Sequence, residues 1–280
     1  MADHKLLSKM QGEDELVHRF VIDTEDAVTE SRLADGLANL DSVLDQYKPT
    51  EQTDVFVRLR NPEVTEQVLA MGGVEKLRGF VTPKADPDTF ADRAARIAER
   101  DPNFRLMPLL ESPGMTDYGY RHALLDVFSE HRAQIDCLRI GINDIMSNLG
   151  MRRPETMTVY ETAAGKLISD LVIEFRGNGH FPLTAPLFEN FGPQYLDTFR
   201  KEVSQHVINQ LFGQVVLHPR QLRPLWSLYK VDEEDLNHAR YVTGDNPEAA
   251  IGNGGRLVSL NTHAKWAGTI IARAELFGVR

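Results

Sequence analysis

Arg105-Leu106-Met107-Pro108-Leu109-Leu110 is a nearly all-apolar run that ends directly on Glu111-Ser112-Pro113-Gly114. A run of this length and composition reads as a strand covered on both faces. Upstream the same pattern recurs at Phe20-Val21-Ile22-Asp23, Val55-Phe56-Val57-Arg58-Leu59 and Gly79-Phe80-Val81-Thr82. Downstream it recurs, less purely apolar, at Cys137-Leu138-Arg139-Ile140-Gly141, Phe181-Pro182-Leu183-Thr184 and Gln214-Val215-Val216-Leu217. Helical spacing fills the intervals: Phe90, Ala94 and Ile97 share one face of 88–100, and Leu167, Leu171 and Phe175 one face of 158–175. Strand and helix thus alternate as in βαβ units building a parallel sheet.

The residues just past the strands are Asp23-Thr24-Glu25-Asp26, Arg58, Lys84, Glu111, Asp144 and His218. Charged groups at the C-terminal ends of successive parallel strands converge on one mouth in a (β/α)8 barrel, where that fold carries its chemistry. A doubly wound sheet requires a Gly-rich loop after the first strand, and none is present. The expectation is therefore an α/β fold, a (β/α)8 TIM barrel. Seven strands are legible where eight are needed, and 5–17 reads as an amphipathic helix. The first strand is either weakly coded or absent. Residues 1–220 are assigned to the barrel and 221–280 to a C-terminal helical lid or subunit-exchange arm. In that arm, 221–241 and 264–277 read as helical, 245–255 as a turn-rich linker, and Arg256-Leu257-Val258-Ser259-Leu260 as a short strand or extended arm.

The chain has 280 residues, with 31 Lys and Arg against 41 Asp and Glu, a net charge of −10. That balance argues against nucleic-acid binding, which needs clustered cations. Apolar residues make up 42% of the chain and can supply a sizeable core, yet no run reaches the roughly 18 residues of a membrane span. The N-terminus has no apolar signal region. The lone Cys137 excludes an internal disulfide and a thiolate metal cluster, and points to a reducing cytoplasm. Cys137 itself reads as a buried residue.

Glu111 and Asp144 each follow a buried strand beside Gly or Pro. Projecting from neighbouring strand ends, they form a hard-oxygen site suited to Mg2+ or Mn2+, with positions left for water and a chelating substrate. The alternative is that each caps the helix that follows it; their shared context favours the metal. Arg58, at the end of an apolar strand, needs a partner. It can grip a substrate carboxylate or enolate oxygen, pair with Asp23 or Glu25 across the mouth, or do both. Lys84 is a weaker case of the same kind. The cluster Asp23-Thr24-Glu25-Asp26 either accepts hydrogen bonds from Arg58, Lys84 or metal-bound water, or is a solvated helix cap. His218-Pro219-Arg220-Gln221 can hold an anionic group, although a single histidine is usually only a hydrogen-bonding residue. Gly252-Asn253-Gly254-Gly255 has no strand leading into a phosphate loop and reads as a hinge. Absence of G-x-S-x-G, H-E-x-x-H and Walker sequences removes hydrolase-elbow, zincin and P-loop mechanisms.

In order, Val21-Ile22-Asp23-Thr24-Glu25-Asp26-Ala27-Val28, Val57-Arg58-Leu59, Thr82-Pro83-Lys84, Leu110-Glu111-Ser112-Pro113 and Gly141-Ile142-Asn143-Asp144 resemble the citrate lyase β-subunit and HpcH/HpaI aldolase superfamily. Leu217-His218-Pro219-Arg220-Gln221 and Leu257-Val258-Ser259-Leu260-Asn261 continue the match. Leu183-Thr184-Ala185-Pro186-Leu187-Phe188-Glu189 and the ending from Trp266 are most similar to the carbon–carbon bond lyase branch found near tellurium-resistance and stress genes. The resemblance implies a barrel of the phosphoenolpyruvate/pyruvate-binding type, usually a homo-oligomer (a trimer or a multiple of it). It implies Mg2+ (or Mn2+) held at Glu111 and Asp144, Arg58 facing the substrate, and Glu25 and Asp26 behind it. It places Lys84, His218 and Arg220 at the substrate, the last two where thioester-using relatives bind the coenzyme A end. The implied function is a Mg2+-dependent carbon–carbon lyase, acting through a metal-stabilised enolate on a 2-oxo acid or acyl-thioester.

Two departures stand out. The family's first strand is not recognisable. The arm carboxylate that its coenzyme A lyases lend to a neighbouring subunit aligns near Trp266, and 261–268 contains no Asp or Glu. His263 and Lys265 are the only ionisable substitutes there. The competing expectation is therefore a catalytically impaired barrel that binds ligand or serves assembly. A phosphotransferase of the pyruvate-kinase-like barrels is disfavoured by the lack of a nucleotide-binding module.

Overall fold

The computed structural model describes residues 4–12, 14–244, 250–253 and 256–280, with the backbone alone for 250–253, 256–258 and 261. The chain divides into two compact units, Met1–Val216 and Leu217–Arg280.

In the first unit, β1 (Arg19–Asp23), β2 (Asp54–Arg58), β3 (Gly79–Thr82), β4 (Arg105–Leu110) and β5 (Arg139–Ile140) pair in that order, all parallel. Single parallel pairings carry the sheet on through Leu138–Leu183 and Thr184–Phe212. Alternation along the strands sorts side chains to two sides. Phe56, Val81, Met107, Leu109 and Cys137 form one buried cluster with Val21 against it. Val55, Val57, Phe80, Leu106, Leu110, Leu138 and Ile140 belong to a second, larger core shared with the helices. Two apolar layers on one parallel sheet are the arrangement of a TIM barrel, with an inner filling and a helical jacket.

The jacket consists of α1 (His4–Met10), α2 (Leu33–Gln46), α3 (Pro62–Leu69), α4 (Phe90–Arg100), α5 (Tyr118–Glu130), α6 (Ile142–Asn148), α7 (Ala163–Leu171) and α8 (Leu196–Ile208). Local chemistry sets their starts. Asn61 caps α3, its Oδ1 accepting from the Val64 N–H at 2.8 Å with Pro62 in the first turn, and Asp117 caps α5 by accepting from the Tyr120 N–H at 2.8 Å. The face of α4 carrying Phe90, Ala94 and Ile97 is buried, as its spacing predicts.

Several expectations are corrected. The helix expected over 158–175 is broken, because Thr158 and Glu161 form a reciprocal capping box around a short 3-10 turn before α7 begins. Beyond Leu171 the coil widens into a π-helical stretch, Val172–Asn178. The strand expected at 214–217 is absent. The pairing residue is Phe212, and Gly213, at φ +71°, turns the chain out of the extended conformation just before that run. The run 181–184 contributes two single pairings and no continuous strand. Among the described residues no strand precedes β1, and α1 occupies part of the helix read at 5–17.

The second unit contains α9 (Leu222–Tyr229), α10 (Glu233–Thr243), the antiparallel pair β6 (Ala250–Asn253) and β7 (Arg256–Ser259), and α11 (Leu260–Phe277). Val231, Leu236, Ala239, Val242, Ala267 and Ile270 form its own core. The region 221–241 is two helices, because the Val231 N–H donates to the Gly278 carbonyl at 3.0 Å and so leaves the helical ladder. The linker read at 245–255 contains β6; residues 245–249 and 254–255, with part of the Gly252–Gly255 hinge, lie outside the described residues.

Candidate active site

The charged residues past β1, β2 and β3 form one connected network. Arg58, at the end of β2, donates from Nε to Asp23 Oδ1 at 2.7 Å and from Nη2 to Asp23 Oδ2 at 2.5 Å, a two-point fork. Its Nη1 lies 3.0 Å from Glu25 Oε2 and 3.1 Å from Asp26 Oδ2. The Thr24 hydroxyl donates to the Arg58 carbonyl at 2.6 Å, tying the two strand ends together. Burial pulls the Asp23 carboxyl upward, but Arg58 and the backbone N–H groups of Glu25 and Ala27 outweigh it and hold the pKa below the usual range. Arg58 is correspondingly held protonated: burial opposes its charge, and Asp23, Glu25 and Asp26 overcome that opposition. Of the two sequence readings of Arg58, the ion pairs across the mouth are the one the geometry contains.

Lys84 follows β3 in the left-handed region, at φ +49°, a conformation that costs a non-glycine residue energy. That twist lets its two ends act in different directions. The backbone N–H donates to Glu111 Oε1 at 2.9 Å, while Nζ donates to Glu25 Oε1 at 3.1 Å and is held charged first by that bond. Glu25 Oε2 is buried and accepts no hydrogen bond.

Glu111, directly after β4, is only 3% exposed. Burial is the main force pushing its pKa up, to about 7; the Lys84 N–H and Arg58 work against this, and the Asp144 and Glu25 charges add to it. Asp144 is half-buried in the first turn of α6, after β5. Gly141 separates the two acidic residues' elements. A Cβ built there would lie 2.2 Å from Glu111 Oε2, so only the missing side chain leaves room for that carboxylate.

This donor set suits a hard divalent cation. Glu111 is a carboxyl made reluctant to ionise first by burial and further by the Asp144 and Glu25 charges, a situation relieved when a cation replaces the proton. Among the described residues no group of three or more His, Cys, Asp or Glu side chains is arranged to hold a metal ion. Mg2+ commonly takes one or two protein carboxylates and completes its shell with water and ligand oxygens, so Glu111 and Asp144 could hold it.

The structure thus brings together Asp23, Glu25, Asp26, Arg58, Lys84, Glu111 and Asp144. His218 and Arg220 lie in the second unit. There the His218 ring, through Nδ1, accepts from the Arg220 N–H at 3.1 Å and caps a 3-10 turn, while Arg220 is exposed. His263 is likewise engaged locally, with Nδ1 3.0 Å from both the backbone N and the carbonyl oxygen of Ser259 at the start of α11. Cys137 is buried, and its thiol is pushed up to about 12, first by that burial. One charged residue of the barrel was not singled out from sequence: Arg139, whose guanidinium is set in an otherwise apolar run. That is the signal that drew attention to Arg58.

No helix among the described residues is long and apolar enough to cross a membrane. No curated protein matches the chain by sequence. Among solved structures, it is similar to CitE from Mycobacterium tuberculosis in complex with magnesium, acetoacetate and coenzyme A, at 18% identity and TM-score 0.65 over 91% of this chain and 89% of that one. A citrate lyase from Burkholderia xenovorans LB400 matches at 14% identity and TM-score 0.69, over 100% and 91%. Malate synthase from Haloferax volcanii in its magnesium–glyoxylate complex matches at 16% and 0.60, over 79% and 69%. These likenesses agree with the barrel built up from the strands above. The model of one family, C-C_Bond_Lyase of the TIM-barrel fold, matches residues 4–279, and the chain belongs to that carbon–carbon bond lyase family.

Proposed function

We propose that this protein is a Mg2+-dependent carbon–carbon lyase of the citrate lyase β-subunit type, cleaving a 2-oxo acid or acyl-thioester, with Glu111 and Asp144 as the metal's protein ligands. The observation that carries this reading is Glu111, a buried carboxyl raised to about 7, steadied through one oxygen by the Lys84 N–H and given room at the other by Gly141. Magnesium in the neighbouring CitE and malate synthase structures supports Mg2+ as the metal.

Bound there, Mg2+ supplies Lewis acidity, polarising a substrate carbonyl and favouring negative charge on its oxygen. The chain's own residues do the rest. Lys84 fixes the Glu111 rotamer and anchors Glu25 through its ammonium. Arg58 aligns Asp23, Glu25 and Asp26 and adds positive charge near the oxygen that becomes negative. Glu25 Oε2 is buried against the Arg58 guanidinium at 3.0 Å, which fixes that carboxylate behind the site. The second unit serves as a lid or subunit-exchange arm in a cytoplasmic homo-oligomer, and His218 and Arg220 are the groups proposed for the far end of a thioester substrate.

Titration calorimetry with oxalate or pyruvate tests the assignment. Glu111→Gln is expected to abolish the Mg2+-dependent binding seen in the parent; parent-like affinity with the same metal requirement contradicts it. The absence of Asp or Glu from 261–268 favours a second reading, a ligand-binding barrel without turnover. Malyl-, citramalyl- and citryl-thioesters and 4-hydroxy-2-oxo acids, assayed with Mg2+ or Mn2+, separate the two. Tight binding with no product formed supports the second.

A further inference from the structure

In the run leading into β5, Cys137 belongs to the inner cluster with Phe56, Val81, Met107 and Leu109, whereas Leu138 and, on β5 itself, Ile140 pack in the core shared with the helices. Side chains two apart on a strand share a face, so Arg139 follows Cys137 into the barrel interior. Arg139 is registered with Leu109 of β4, which puts Glu111 one inward-facing position nearer the mouth. Gly141, just past β5, has no side chain, and the space a Cβ would take there is occupied by Glu111, just past β4. Arg139 is thus the last inward side chain of its strand before the mouth.

Its guanidinium is not completed by the protein. Nη1 is buried with no hydrogen-bond partner, and among the described residues no carboxylate forms an ion pair with Arg139. Burial depresses its pKa even though Glu111 and Asp23 are near enough to oppose this, and Arg58 repels it. Arg139 is half-buried, whereas the buried Arg121 and Arg153 each hold a carboxylate. Arg121 holds Glu174 through Nε and Nη2 at 2.6 and 2.8 Å, and Arg153 holds Glu202 through Nη1 at 2.8 and 2.6 Å. Arg58, at the same mouth, already faces three carboxylates. A buried guanidinium lacking an anion is unfavourable, and a bound anion relieves it.

We infer that Arg139 is a further anion-binding residue of this site, beside Arg58: its planar fork receives the carboxylate of the bound 2-oxo acid. The inference rests on the metal-site reading above and sharpens it. The substrate end inside the barrel is a free carboxylate, matched in shape and charge to a guanidinium.

Oxalate is the probe, titrated calorimetrically in the presence of Mn2+, with Mn2+ binding alone followed by electron paramagnetic resonance and stability by thermal unfolding. Arg139→Met is expected to weaken oxalate binding about 10- to 100-fold, the loss typical of a charge-assisted hydrogen bond. Mn2+ affinity should be unchanged or tighter, and the melting temperature unchanged or higher, because an uncompensated buried charge is removed. Arg139→Lys, which keeps the charge without the fork, should be intermediate. Parent-like oxalate affinity in Arg139→Met overturns the inference. So does a variant that fails to fold, or one that loses Mn2+ binding and stability together with oxalate, since both mark a structural role. A parent that binds no Mn2+ overturns the metal-site reading itself, and one that binds Mn2+ but not oxalate overturns the inference alone.

Discussion

Glu111 is divided near neutral pH between its charged and neutral forms, because the fold buries it beside Asp144 and Glu25. Its ordinary value, 4.5, applies when the chain is unfolded, and about 7 when it is folded. The folded state therefore holds the proton more tightly. This contribution to stability is complete below about pH 4.5 and is lost as pH rises through 7. Glu111→Gln removes the loss. At pH 8 the metal-free variant is expected to be more stable than the metal-free parent by up to about 3 kcal/mol, with no difference at pH 4. Urea unfolding at the two pH values checks this, and a variant less stable at pH 8 contradicts it. Glu111 and Asp144 stood out as candidates in sequence because each follows an apolar strand with Gly or Pro close by. What the Lys84 backbone does for Glu111 was not, since it depends on a left-handed φ at a lysine, which no residue type announces. Arg139 was overlooked for a related reason: a missing partner becomes visible only when the surroundings are known.

Away from the mouth, α8 is fastened to the segment following α6 by a fully buried ion pair. Arg153 is 1% and Glu202 0% exposed, and Glu202 also accepts from the Val159 N–H at 2.7 Å. Burial holds the neighbouring His206 neutral, its pKa pushed down to about 3 with Arg153 adding to the effect. Glu202→Gln leaves the arginine uncompensated and is expected to destabilise the protein by about 3–5 kcal/mol, read from the denaturant midpoint. A loss below about 1 kcal/mol contradicts this account of the contact. The strands from β1 to β4 were legible because they are short, apolar and followed by charge. The sheet beyond β5 was less so. Its continuation rests on single pairings at Leu183, Thr184 and Phe212, and β-branched residues alone at 214–217 gave no sign that Gly213 turns the chain first. Likewise, helical spacing over 158–175 carried the interior apolar face correctly but hid the capping box that splits it.

Across the whole molecule, two units with separate apolar cores divide the chain between Val216 and Leu217. The first carries every carboxylate proposed for the metal and both arginines of the mouth; the second carries His218, Arg220 and α11. Barrel class and family were legible from the order of charged strand ends, because that order is set by topology and survives low identity to solved relatives. The central claim, that Glu111 and Asp144 share one divalent cation, is tested most directly by anomalous diffraction from crystals of the parent grown with Mn2+ and oxalate. The account predicts a single strong peak in the barrel mouth, within about 2.0–2.3 Å of a carboxylate oxygen of each residue. A peak that touches neither residue, or no peak at saturating Mn2+, contradicts it.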